Sequence, residues 1–337
     1  MMKKARFIRH NSALVSVLCL LLTAGILTTA VLSLSKSGTF TVASHVELQR
    51  SMLIAEGVAT RVQWLLAADR NLNPNDKPGT VDYTTFEYDR FMADGVTHTL
   101  EYYGENVQVQ VLDAVSGWDL SQSRYQSAIK TISSREDAGD ELVDLCDEIT
   151  QLIGDYLDSD DNIQELGMEA TGYEDEMKKP LPRNAAMQFR EELLYINGFT
   201  KLFPLDKDGR LSSVRLIPPA NTSDLSGTPS LFTITRQDVE RQLPDLSEDE
   251  VDNIMLSLKS WREDRELLSD TLDEELYNKL AAKFSTSESG AYTVVISGQG
   301  NAEKGGTPFR KLIFTYAGFE VSGPADQLLK YMEWNFL

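Results

Sequence analysis

Cysteine and histidine are scarce: two and three residues in a chain of 337. Cys19 lies inside an apolar run and Cys146 far out in the body, so the two cannot pair once that run sits in a membrane, and no disulfide framework is available. His10, His45 and His98 have no cysteine or histidine at ligand spacing, which argues against a zinc site. Proline is absent before Pro74, and charge is absent from Asn11 to Ser35. Basic residues are few overall: 32 Lys and Arg stand against 52 Asp and Glu, for a net charge of −20. Such a surface repels phosphate backbones, which excludes nucleic acid as a natural partner, and it repels anionic lipid as well. It suits hard cations such as calcium, which take oxygen ligands. There is no G-x-S-x-G, no HExxH, no P-loop and no cysteine nucleophile with a partnering histidine. The many carboxylates read as open loop residues rather than an enclosed acid/base pair, so no enzyme is expected.

The stretch that is present in strength is apolar. SALVSVLCLLLTAGILTTAVLSL begins at Ser12, directly after the basic cluster Lys3, Lys4, Arg6 and Arg9. About 20 apolar residues in a helix span a bilayer core, and the basic flank stays cytoplasmic. A large extracytoplasmic body on a single N-terminal anchor is the expectation, or a secreted protein if the segment is removed. The helical pattern then continues without a turn signal. Ile54, Val58, Val62 and Leu65 recur at spacings of four and three, while Glu47, Gln49, Arg50, Glu56 and Arg61 fill the other faces. One helix is therefore expected to run to about residue 70, apolar first and amphipathic after, with Gly38 and Gly57 as points of bending.

Residues 71–80 read as a break. VTHTLEYY and NVQVQVLDA alternate as strands, with a turn at Gly104–Asn106, and SGWDLSQ closes that part. From about residue 121 the character is helical: SAIKTISS, DELVDLCDEITQLIGDYL, AMQFREELLYI, ITRQDVERQL, SEDEVDNIMLSLKSWREDR and DEELYNKLAAKF. In the second of these, Leu142, Leu145, Ile149 and Leu152 form the apolar stripe. Thr235 is placed as a cap, and Ser247 with Glu250 as a capping box. AYTVVISGQG and FRKLIFTYAG then return as a strand pair joined by the loop NAEKGGTP. Strands separated by a long helical stretch predict an α+β fold: a small antiparallel sheet with a large helical domain inserted between its strands.

Asp155, Asp158, Asp160 and Asp161 crowd into seven residues at a predicted helix end. Carboxylates are unfavourable there, against the negative end of the helix dipole. Glu165, Glu169, Glu174, Asp175 and Glu176 follow, and no Lys or Arg occurs between Arg135 and Lys178. Solvent, a basic partner or a cation must offset this charge, and a flexible loop of this kind supplies the six to eight oxygens calcium takes. The spacing is not that of an EF-hand. LPDLSEDEVDNIML and LLYINGFTKLF look like helix-hairpin-helix turns, but the net charge favours a packing role over DNA binding.

RHNSALVSVLCLLL resembles the leader junction of the type IV pilin-like superfamily. That resemblance implies cleavage by a prepilin peptidase between Asn11 and Ser12, and methylation of the new terminus. Asn11 stands where the superfamily usually has Gly. Ser16 stands at the fifth mature position, where major pilins carry Glu; the missing Glu is a habit of the K-type minor pseudopilins. DYLDSDD, Gly167 with Glu169, Tyr173, the PRN at Pro182–Asn184, and EELLYINGFT resemble the most recognisable stretch of type II secretion system protein K. Ala170 after Glu169 and the inserted GYEDEM depart from its pattern.

The resemblance extends in order over nearly the whole chain. It implies a basic leader over 1–11 and an N-terminal helix over 12–70, of which 12–35 spans the membrane. It further implies the first part of the sheet domain over 71–120, the inserted helical domain over 121–288 and completing strands over 289–337. It implies a non-enzymatic minor pseudopilin that caps the pseudopilus tip in protein secretion, with the I- and J-type minor pseudopilins as partners. Calcium would be bound in the helical domain by Asp158, Asp160, Asp161 and Glu169, with Asp155 as a further ligand. A minor pilin of a type IV pilus and a membrane-anchored calcium-dependent binding protein stand as alternatives.

Overall fold

The computed structural model describes residues 3–73, 90–135, 138–175, 181–215, 217, 228–298, 311–317 and 330–337, with side chains from residue 13 onward. Most of the 71–80 break, the NAEKGGTP loop and the end of GYEDEM fall outside these residues.

One helix, α1 (Lys3–Leu72), runs from the leader through the apolar stretch and onto the body. It is the one described helix long and apolar enough to cross a membrane. Asn11 and Ser12 lie inside it; their side chains are outside those described. From Ala13 to Val46 it is exposed throughout. Its second half buries Ile54, Ala55, Val58, Ala59, Val62 and Leu66. Leu66, not the expected Leu65, completes the stripe, since the contact face drifts slowly around a straight helix.

That face packs on a five-stranded antiparallel sheet in the order β1 (Thr97–Tyr102), β2 (Glu105–Asp113), β3 (Ala291–Gly298), β4 (Leu312–Ala317), β5 (Lys330–Phe336). Val107, Val109 and Val111 of β2, Val294 and Ile296 of β3, and Leu312 and Phe314 of β4 meet α1 in one core. The first hairpin turns one step earlier than expected. Tyr103 (φ 51°) and Gly104 (φ 74°) form the two-residue loop, and Asn106 already pairs with Glu101. Two consecutive positive φ values match the twist that tight hairpins require. The fifth strand, β5, falls within the completing strands expected over 289–337, but no segment of the sequence marks it. KYMEWNF mixes charge and aromatics, so its alternation is weak until it lies against β4.

Gly57 is a contact point rather than a bend. A Cβ there would run into the Tyr102 hydroxyl and ring, so the tyrosine of β1 rests on the helix in the gap this glycine leaves. Gly57→Ala should forfeit the ~1 kcal/mol that alanine normally brings to a helix. It should instead lower stability by about 1–2 kcal/mol. Urea unfolding of the single variant and of Gly57→Ala with Tyr102→Ala checks this: the second change should recover most of the loss.

Neighbouring strands β2 and β3 bracket the helical region. Asp113 at the end of β2 pairs with Tyr292 at the start of β3, and the Ala114 N–H donates to Ala291 O at 2.9 Å. The inserted chain therefore leaves and re-enters the sheet at adjacent points, and its folding does not disturb the strand order. It packs as two clusters. The first gathers α2 (Tyr125–Ser133), α3 (Asp140–Leu157), α4 (Ala170–Asp175) and α5 (Phe199–Leu202) around Ile149, Ile153, Tyr156, Leu193, Phe199 and Phe203. The second gathers α6 (Arg236–Gln242), α7 (Glu248–Asp264), α8 (Leu268–Thr271) and α9 (Glu274–Lys283) around Trp261 and Phe232.

Thr235 and Ser247 cap α6 and α7, as their positions predict, each with a reciprocal acidic partner three residues on. AMQFREELLYI differs from expectation: it forms only a 3-10 helix at Arg190–Tyr195. Glu192 turns inward there instead of continuing a solvent face. Leu193, Ile196, Phe199 and Phe203 of the hairpin-like segment are core residues.

Candidate metal centre

α3 ends at Leu157 with no basic residue in its last turn, and Asp158 is its C-cap. The chain then loops through 159–169 and returns at Glu169, directly before α4. This return brings Asp155, Asp158 and Glu169 together: one carboxylate oxygen from each lies within 4.8 Å of the others. Ligands at 2.3–2.6 Å on opposite sides of a calcium ion are about 5 Å apart, so the three oxygens fit around one ion.

Burial separates these acids from ordinary surface carboxylates. Asp155 is 0% and Glu169 3% exposed. Asp155 Oδ1, Asp158 Oδ1 and both oxygens of Glu169 are buried with no hydrogen-bond partner among the described residues. The second oxygen of Asp155 accepts the Gln164 N–H at 3.1 Å, which ties the loop to the helix end. Gly167 lets the loop close: a Cβ there would run into Asp155 Oδ2.

Another buried acid in the same lobe shows what a structural carboxylate looks like. Glu192 is 1% exposed and fully used. It accepts from the Tyr156 hydroxyl at 3.0 Å, from Arg183 at 3.1 Å, and from the Gln188 N–H at 2.7 Å. Leaving a buried charged group unpaired costs several kcal/mol, so the Glu169 cluster lacks something that Glu192 has. Its electrostatics agree. Burial, and then the charges of Asp155, Asp158, Asp161 and Asp160, push Glu169 up to about 7. Asp158 is raised as well, by burial first and then by Asp160 and Asp155.

Of the sequence candidates, Asp155, Asp158 and Glu169 converge. Asp160 and Asp161 are exposed. Asp160 Oδ1 accepts the Asn162 N–H at 2.9 Å and its side-chain amide at 2.7 Å, shaping the loop. These two acids act on the cluster through their field. Asp155, placed last among the sequence candidates, is the most enclosed of the three. Asn184 was quoted only as part of a motif. With φ 52° it donates its N–H to Tyr156 O at 3.1 Å, and its buried Oδ1 has no hydrogen-bond partner among the described residues. An amide oxygen thus stands at the same helix end as the carboxylates, and its signal in the sequence is its place in PRN.

No family model matches the chain, and no curated protein matches it. Among solved structures, one chain of the crystal structure of the GspK-GspI-GspJ complex from the enterotoxigenic Escherichia coli type 2 secretion system is similar to it. The identity is 15%, the match covers 88% of this chain and 99% of that chain, and the TM-score is 0.48.

Proposed function

We propose that this chain is a minor pseudopilin of a type II secretion system, a non-enzymatic part of the filament that sits at its tip. The observation that carries the reading is the continuity of α1. A membrane-length apolar helix passes without interruption into a helix whose lower face is the core of the sheet domain. A subunit built this way can leave the bilayer sideways, with its apolar half packing on like helices while the head rides outside. The helical lobes standing between adjacent strands add the bulk that would close the growing end. The sequence likeness of the leader junction and of residues 147–200 to the K-type proteins supports the same reading. It gives the I- and J-type minor pseudopilins as partners and the inner membrane as the site of assembly. Without Glu at the fifth mature position, the chain does not offer a carboxylate to the amino terminus of a subunit above it, which suits a last subunit.

The residues at the end of α3 fit calcium as the resident ion. Asp155, Asp158 and Glu169 would hold it, with hard oxygen donors and no described cation in competition. When bound, the ion supplies countercharge to the buried carboxylates and ties the loop to α3.

Mass analysis of the N-terminus tests the assignment. A processed pseudopilin should begin at Ser12 and carry an N-methyl group. A membrane-extracted chain that still begins at Met1 or Met2 would overturn the filament reading and favour a permanently anchored binding protein.

A further inference from the structure

The two helical clusters do not close on each other completely. Between α2 and α6 lie two adjoining hollows, of about 330 and about 1000 Å³, which share Thr131 and Arg241 as walls. The charge along them is reversed relative to the chain. Among the described residues, Arg124, Lys130, Arg135, Arg215, Arg241 and Lys283 line them, against three acids, Asp119, Glu240 and Asp245. The whole chain carries 32 basic and 52 acidic residues, so this local excess of positive charge is not inherited from composition.

Part of that charge is uncommitted. Lys130, Arg135 and Lys283 are exposed and make no ion pair among the described residues. Arg124 is exposed and reaches Asp119 only at 3.7 Å. Arg241 is the built element. Its side chain is 8% exposed, held by Asp238 at 2.6 Å, and its guanidinium stands 5.5 Å over the Trp118 ring. Its Nε is buried with no hydrogen-bond partner among the described residues. A guanidinium fixed in this way at the junction of both hollows sets a positive charge where they meet, and arginine pairs well with carboxylates.

We propose that this cleft binds an acidic peptide segment of a partner protein, whose carboxylates are spaced along the two hollows. A single small anion would engage one hollow only. Cations spread over both favour an extended ligand. Nucleic acid and anionic membrane would have to approach the whole acidic body, whereas a narrow peptide responds to the field within about a Debye length, 8–10 Å at physiological salt.

The test uses the full chain in detergent micelles and a fluorescein-labelled peptide of about ten alternating Glu and Gly residues, followed by anisotropy. Saturable binding is expected, weakening as salt rises and accompanied by a change in Trp118 emission. The Lys130→Glu/Lys283→Glu pair, both exposed positions, should weaken binding at least about tenfold with an unchanged melting curve. Absence of binding, equal binding by the paired variant, or equal binding of the same peptide with Gln for Glu would overturn the proposal. So would inorganic phosphate binding as tightly as the peptide, since that describes a simple anion site.

Discussion

Calcium added to the chelator-treated chain at pH 8 should raise its unfolding free energy by about 2.7 kcal/mol once the ion stands at a hundred times its dissociation constant. In Glu169→Gln the gain should be smaller by at least half. The sign follows from the carboxylates at the end of α3. Glu169 is raised to about 7 by burial and by its acidic neighbours, whereas in an unfolded chain it titrates at its ordinary value near 4.5. Between those values the folded state holds a proton that the unfolded state has lost. Without the ion, stability should therefore fall as pH rises from about 5 through 7, by about 3 kcal/mol in total from this one group. Above that range the folded state carries the full repulsion of Asp155, Asp158 and Glu169. With saturating calcium the slope should flatten, because the cation replaces the proton. Urea unfolding at pH 5 and pH 8, with calcium and with chelator, reads all four corners. Identical midpoints at pH 8 with and without the ion would remove calcium from this account. In the ion-free protein Glu169→Gln should be more stable than the unaltered chain at pH 8, an inversion that a merely structural glutamate does not show.

Glu333→Ala should destabilise the body by about 3–5 kcal/mol, the cost of leaving buried charge without its partner. Glu333 on β5 is 7% exposed and lies 3.1 Å from Arg190 and 2.6 Å from Arg210, both of them in the first helical cluster. It also accepts from Thr315 of β4 and from Asn335. Burial alone would raise its pKa, but the two guanidinium groups outweigh that and hold it below the usual carboxylate range. Its stabilisation is present above the unfolded value and is lost as pH falls through the lowered folded one. Removing the carboxylate takes from Arg210 its ion pair, leaves Arg190 with Glu191 and Val214 O, and unties the last strand from the helical insert. Thermal unfolding should show the loss at pH 7 and less of it as pH falls through the lowered folded value. Glu333→Gln, which keeps the hydrogen-bonding shape without the charge, should fall between the two.

Much of the local structure was legible because it depends on neighbours in sequence. The cap residues Thr235 and Ser247 carry their own hydrogen-bond partners three positions away, so they could be placed without knowing the fold. The same holds for the alternation of Val107, Val109 and Val111 and for the length of α1. The acidic run at Asp155–Asp161 was visible as charge, but its division into enclosed and open members was not. Asp160 lies two residues from Asp158 and differs from it only in where the loop turns. Glu169 enters the cluster because Gly167 lets the chain pass against Asp155, a contact across twelve positions that no periodicity encodes. The basic cleft was equally hidden. Arg124, Lys130, Arg215, Arg241 and Lys283 are scattered over 160 positions and read as ordinary surface charge until α2 and α6 face one another.

By itself the sequence determined that one uninterrupted helix would carry a membrane-length apolar half and a packing half, and that strands would enclose a helical region. Those features arise from hydrophobic period and from breakers, which act over a few residues. Only the tertiary structure decided which carboxylates lose their water, which glycine marks a contact instead of a bend, and that a fifth strand is pinned by Arg190 and Arg210. Burial and charge pairing are properties of distant segments brought together, and their energies do not exist until the chain has folded.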